Sequence, residues 1–264
     1  MTNVLLIIEY DGTEFSGWQR QPNKRTVQGE IEKALTKLCK QPIKINGTSR
    51  TDAGVHAYAQ AANFSGDFEI PVDRIKPAVN GLLPNDIYIK SAEKVNNDFH
   101  ARFSAKGKTY HYRVLCTDEK NVFSRNYFYN IVKELNIEAM RKAACFLKGT
   151  HDFAAFMSSG SRASSTIRSV YALNIMEEER YKEVINIDGK VVTIEITGDS
   201  FLYNMVRIIA RSLVEVGLGK LKPDEIPYII KMKERSLVRL IAPAGGLYLY
   251  KIYFTEAEIK EIIG

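Results

Sequence analysis

Arg50 and Asp52 stand two residues apart inside a polar run bounded by glycines, Gly47-Thr48-Ser49-Arg50-Thr51-Asp52-Ala53-Gly54-Val55-His56-Ala57. On an extended backbone that spacing puts both side chains on the same side. A carboxylate beside a guanidinium stays ionised and can act as a nucleophile or a base. The same residues also suit an Asx-turn with a solvated arginine, and the run by itself leaves both readings open. His56 follows Asp52 by four residues but has no third ligand near it in sequence. It reads as an ordinary loop histidine, and no metal is expected. Neither a phosphate-cradling glycine loop nor a dinucleotide fingerprint occurs, and no Ser-His-Asp ordering stands out, so no cofactor is expected.

Two further stretches carry chemical potential. In Lys108-Thr109-Tyr110-His111-Tyr112-Arg113-Val114, strand alternation puts Tyr110, Tyr112 and Val114 on one face and Thr109, His111 and Arg113 on the other. Rings interleaved with cations suit RNA, because rings stack on unpaired bases and cations meet phosphates. Tyrosine-rich strands are equally normal sheet interior. Arg102, Lys106 and Lys108 extend the basic character upstream. In Phe201-Leu202-Tyr203-Asn204-Met205-Val206-Arg207-Ile208-Ile209 the pattern is apolar nearly all round, so Arg207 needs a partner such as a carboxylate across a cleft. Alternatively Arg207 and Arg211, four apart, form one solvated stripe. Trp18 reads as structural.

Hydrophobic periodicity supplies the elements that must hold these residues. Val4 to Tyr10 reads as a buried strand ended by Asp11-Gly12. Thr26 is the expected N-cap of a helix running to about Cys39, with Val27, Ile31, Ala34, Leu35 and Leu38 on one face. Strands are expected at Ile43 to Asn46 and Ala57 to Phe64. A helix opened by Pro71 carries Ile75, Val79 and Leu82 in register and Pro77 inside it, and Ile87 to Val95 is again a strand. After Gly107 an alternating strand runs from Lys108 to Cys116. A helix follows at Ile137 to Leu147, then strands at Ile167 to Ile175 and Val184 to Ile196, with a hairpin turn at Asp188-Gly189. Helices are expected at Tyr203 to Val216 and Asp224 to Lys233, and a last strand at Leu247 to Phe254. Phe156 to Ser165, with Arg162 inside it, reads either as an exposed mobile loop or as a plain connector.

The fold class is therefore α+β, with two split β-α-β halves: an N-terminal one over 1–107 that carries the aspartate loop and a C-terminal one over 108–264. A net charge of +6 and a pI near 9.0 favour an anionic partner, nucleic acid first. Cys39, Cys116 and Cys145 are odd in number and far apart, which argues against a disulfide framework. No stretch approaches the ~18 uninterrupted apolar residues of a membrane span. The N-terminus has no basic segment or cleavage site, so the expected location is cytoplasmic.

Arg50-Thr51-Asp52-Ala53-Gly54-Val55-His56-Ala57 closely resembles the catalytic motif of the tRNA pseudouridine synthase A family. Similar matches follow in order: Tyr10-Asp11-Gly12-Thr13 with Gly17-Trp18-Gln19, Phe99-His100-Ala101-Arg102-Phe103-Ser104-Ala105, Lys108-Thr109-Tyr110, Phe201 to Arg207, and Gly246-Leu247-Tyr248-Leu249. The resemblance implies a pseudouridine synthase fold of two ferredoxin-like halves, joined in one extended antiparallel sheet with a central cleft. It implies a homodimeric isomerase without metal or organic cofactor that grips the anticodon arm of tRNA. The implied reaction converts uridine to pseudouridine at positions 38 to 40. It further implies that Asp52 is the nucleophile, Tyr110 stacks on the target uracil, Arg207 pairs with the catalytic carboxylate, and Arg50 helps the nucleotide out of its stack. Thr48-Ser49 stands where the family has Ala-Gly, and His111 where it more often has arginine. The alternative from another class is a non-catalytic RNA-binding protein with two RRM-like halves, whose paired aromatic motifs are not evident.

Overall fold

The computed structural model describes residues 1–160, 163–178 and 189–263. They form two compact units, residues 1–106 with 248–256 and residues 107–247 with 257–263. The sequence places everything after 107 in the second half, but residues 248–256 belong with the first. No described helix is long and apolar enough to cross a membrane.

The first unit contains β1 (Thr2–Tyr10), α1 (Val27–Cys39), β2 (Asn46–Gly47), β3 (His56–Gly66), α2 (Val72–Asn80), β4 (Ile87–Val95), α3 (Ala101–Ser104) and nearly all of β10 (Leu247–Tyr253). Its strands run β4-β1-β3-β10, with β2 paired to β3. β1 is antiparallel to both neighbours. β10 lies parallel to β3, with Tyr248 opposite His56, so the expected all-antiparallel arrangement does not hold there. The alternation of β1 sends Val4, Leu6 and Ile8 into a core shared with Ile31, Leu35, Phe64, Ile75 and Val79, all fully buried.

Thr26 caps α1 as expected: the Gly29 N–H donates to Thr26 Oγ1 at 3.3 Å. The expected strand at Ile43 to Asn46 shrinks to Asn46–Gly47. The reason lies in α1, whose side chains take the donors a ladder would use. Ile43 N–H donates to Thr36 Oγ1 and Ile45 N–H to the buried Glu32 carboxylate. Helix α2 tolerates Pro77 but stops before Leu82, which is exposed. Asn80 ends it by bonding both the N–H and the C=O of Ile89 on β4.

The second unit contains β5 (Gly107–Cys116), β6 (Tyr129–Ile131), α4 (Ile137–Leu147), β7 (Gly149–Asp152), β8 (Ile167–Glu178), β9 (Lys190–Gly198), α5 (Met205–Gly217), α6 (Glu225–Met232) and most of α7 (Glu256–Ile263). Its strands run β5-β9-β8-β7, antiparallel throughout, and β6 joins β5 in parallel. The short elements β6, β7, α3 and α7 were not legible in the periodicity. Residues 184–188 of the expected strand, Asp188 of the expected turn, and Arg162 lie outside the described residues; β9 is described from Lys190.

Strand β5 departs from simple alternation because both its faces are buried. On one, Tyr112 is fully buried and its hydroxyl donates to the Pro243 carbonyl at 2.8 Å. On the other, polar side chains find partners across the β5–β9 ladder: Thr109 meets Thr197 at 2.7 Å, and His111 Nε2 meets Glu195 Oε2 at 3.0 Å. The hydrogen bond from His111 outweighs burial and holds the Glu195 carboxyl below the ordinary glutamate range. His111 is thus committed to Glu195, and the phosphate-facing role read from alternation gives way to a cross-strand pair.

Replacing Thr26 with Ala should cost about 1 kcal/mol, because the Gly29 donor loses its cap. For a chain of this size that is a fall of about 2–4 °C in Tm, to be measured by thermal unfolding, with Thr26→Ser recovering most of it.

Candidate active site

Asp52 sits in a turn between β2 and β3, closed by the Val55 N–H donating to the Asp52 carbonyl at 3.2 Å. The residue before it is held twice. The Thr51 carbonyl accepts from Trp18 N–H at 3.0 Å, and the Thr51 hydroxyl bonds Tyr10 Oη at 2.8 Å. Gly12 and Gly17 permit this approach. A Cβ on Gly12 would lie 2.0 Å from the Val55 carbonyl oxygen, and one on Gly17 would lie 2.6 Å from that of Thr51. Gly17 also has φ +88°, a conformation that side chains disfavour. The Tyr10-Asp11-Gly12 and Gly17-Trp18 motifs are therefore a clamp on the Asp52 turn. Trp18 is structural as expected, buried against Gly47.

The ends of the turn are fixed as firmly. Gln60, fully buried, accepts from Ser49 N–H at 3.3 Å and donates to the Ser49 carbonyl at 2.7 Å. Thr48 N–H donates to the Ala61 carbonyl, and its hydroxyl donates to the Ala101 carbonyl of α3 at 3.1 Å. The unusual Thr48-Ser49 pair is thus absorbed into the scaffold. His56 is no loop residue. It opens β3, is buried, accepts from Gly12 N–H at Nδ1 (3.1 Å), lies 3.1 Å from Asp11 Oδ1, and stacks on Tyr248 at 4.8 Å. Among the described residues no three His, Cys, Asp or Glu side chains cluster so as to hold a metal ion.

Within this frame Asp52 is half-buried and Arg50 exposed. A half-buried carboxylate on a turn held by several backbone and side-chain hydrogen bonds has a geometry suited to attack a positioned substrate.

Tyr110 and Arg207 belong to the second unit. Tyr110 is buried on β5, with the Phe201 ring edge-on to it at 5.4 Å and 87°. Arg207, half-buried near the start of α5, donates from Nε to the Ala242 carbonyl at 2.8 Å and from Nη1 to Asn204 Oδ1 at 3.0 Å. Arg211 is engaged elsewhere, in an ion pair with Glu215 and over the Tyr129 ring at 5.4 Å. The shared solvated stripe is therefore not what these two arginines form.

Asn204 went unremarked in the sequence. It adopts φ +60° and ψ 7° immediately before α5, which is why the helix begins at Met205 and not at Tyr203. Its side chain ties Arg207 to Ser158, donating to Ser158 Oγ at 3.0 Å. Asparagine tolerates left-handed backbone better than most residues, and that was the available signal.

Comparisons with known proteins identify the family. A family model described as tRNA pseudouridine synthase matches residues 6–104 and 143–255. The protein called tRNA pseudouridine synthase A in Acetivibrio thermocellus is 46% identical over 254 residues, covering 96% of this chain and 100% of that one. Its counterpart in Ruminiclostridium cellulolyticum gives the same figures. A chain of a solved archaeal box H/ACA ribonucleoprotein aligns with 97% of this chain and 62% of its own, at 13% identity and a TM-score of 0.34. This chain belongs to the tRNA pseudouridine synthase family. It is an isomerase that makes pseudouridine.

Substitutions at Asn204 separate backbone strain from side-chain support. Asn204→Ala should be about 1 kcal/mol less stable than Asn204→Gly, which adopts positive φ freely. Both lose the bond to Arg207, so both should lose turnover to a similar degree. Equal thermal stability of the two variants would show that the backbone conformation is not under strain.

Proposed function

We propose that the chain isomerises uridine to pseudouridine in the anticodon stem-loop of tRNA, at positions 38 to 40, as a cytoplasmic homodimer of two-unit subunits. In this reading each unit is a ferredoxin-like half of a pseudouridine synthase fold. The observation that carries it is the Asp52 turn: a half-buried carboxylate locked at Thr51 by Tyr10 and Trp18, beside the exposed Arg50.

The reaction breaks the bond from N1 of uracil to C1′, turns the base, and joins C5 to C1′; the proton leaving C5 is balanced by one gained at N1. Unstacking the target base costs a few kcal/mol. Arg50, exposed on the same turn, occupies the space the base vacates and offsets part of that cost. Tyr110, its ring held edge-on by Phe201, stacks on the extruded uracil. Asp52 then attacks C1′, attacks C6, or removes the C2′ proton, and each route needs it ionised. By the family resemblance, Arg207, oriented by Asn204 and the Ala242 carbonyl, is the basic residue that partners the catalytic carboxylate.

Incubation with unmodified tRNA transcript, followed by mapping of pseudouridine, tests the reaction and its position. Asp52→Asn is isosteric and should abolish turnover while tRNA affinity stays close to that of the parent chain. Single-turnover activity above about a thousandth of the parent would remove Asp52 from the nucleophile's role.

A double-mutant cycle tests the second unit's contribution. Arg207→Met keeps most of the side-chain volume and should cost at least about tenfold in kcat/KM. If Arg207 acts through Asp52, adding Arg207→Met to Asp52→Asn should cost almost nothing more. Additive losses would assign Arg207 to an independent contact with RNA.

A further inference from the structure

Phe103 is 75% exposed, on a short ordered helix. The element is α3, and it does not move freely. Ala101 is fully buried; its N–H donates to Asn63 Oδ1 at 2.9 Å, and its carbonyl accepts from Thr48, the second residue of the catalytic run. Asn63 is itself bonded to Asn3 and to the Phe99 carbonyl. The ring is thus displayed to solvent from a support pinned to the same framework as Asp52.

Its surroundings indicate what it faces. The His100 imidazole lies 4.4 Å from the Phe103 centroid at 34°, and the exposed Arg102 guanidinium carbon lies 5.6 Å from it. His100 is fixed in turn, because its Nδ1 accepts from Arg102 N–H and its own N–H donates to Ser104 Oγ. An exposed ring backed by an imidazole and flanked by a cation offers a π surface and a phosphate contact together, which unpaired nucleotides use and double helices cannot.

We propose that Phe103, with His100 and Arg102, is a second base-stacking site that holds an unpaired tRNA nucleotide other than the one being isomerised. This rests on the reading of the chain as a tRNA-modifying enzyme, and it adds a contact outside the turn that carries Asp52.

The test compares Phe103→Ala, Phe103→Leu and Phe103→Trp in the full chain, with two probes: unmodified tRNA transcript and a fully paired RNA duplex of equal length. Because the ring is exposed, all three variants should melt with the parent. Phe103→Ala should weaken tRNA binding about 5- to 100-fold and leave duplex binding unchanged. Phe103→Leu, which keeps apolar area but has no π face, should behave like Phe103→Ala, and Phe103→Trp like the parent. The only native tryptophan, Trp18, is buried, so the introduced indole reports separately. Its emission should be quenched by tRNA and not by the duplex. Parent-like binding by Phe103→Leu overturns the proposal. So does a change in sedimentation of the RNA-free protein on Phe103→Ala, which would assign the ring to a second protein copy. If the parent binds tRNA in this ring-dependent way but forms no pseudouridine, the proposed reaction fails and the stacking site stands. If it forms pseudouridine and Phe103→Ala binds as the parent does, the reaction stands and the stacking site fails.

Discussion

The bond from Trp18 N–H to the Thr51 carbonyl ties the turn carrying Asp52 to the chain between β1 and α1. It can form only because the chain between β1 and α1 lies directly against the turn carrying Asp52, an approach that leaves no room for a Cβ at Gly12 or Gly17. A single backbone hydrogen bond is worth only about 0.5–1.5 kcal/mol net, but leaving its buried partner unsatisfied costs more, about 1–3 kcal/mol. The bond is reinforced by Tyr10 on the Thr51 hydroxyl and by His56 on the Gly12 N–H. The result is a turn around Asp52 whose backbone is held in place by its neighbours.

Much of the rest follows the same logic, with buried polar side chains deciding where irregular backbone goes. Glu32 reaches from α1 to the Ile45 N–H, and also bonds Gln28 and faces Arg20. Gln60 brackets Ser49, and Asn63 joins β3 to α3. In the second unit, His111 and Glu195 form such a pair within the sheet, while Asn204 orients Arg207. Each of these groups would be costly to bury alone, so each fixes the segment it bonds as much as it stabilises it.

This division of labour suits a reaction on a base taken out of its stack. The supports are buried, while Arg50, Arg102 and Phe103 stand in solvent on them. Rigidity near the carboxylate and exposure at the rim are compatible because the hydrogen bonds that hold the Asp52 turn run through the backbone and through buried amides.

The sequence alone determined most of the longer regular elements and the turn that holds Asp52. Thr26 capping α1, the bounds of β4 and α4, and Asp52 in a turn with Arg50 beside it all follow from local signals. Periodicity and capping depend on neighbours within a few residues, so they are written in order along the chain. The tertiary structure decided the rest. The expected strand at Ile43 became loop because Glu32 and Thr36 took its donors. Thr109 and His111 on one face of β5 became buried because Thr197 and Glu195 lie opposite them. His56 left its loop to anchor Gly12, and Tyr248 crossed back to the first unit to stack on it. These partners stand from seven to nearly two hundred residues away. Which distant donor meets which acceptor is settled only when the core packs and every buried polar group must find a bond.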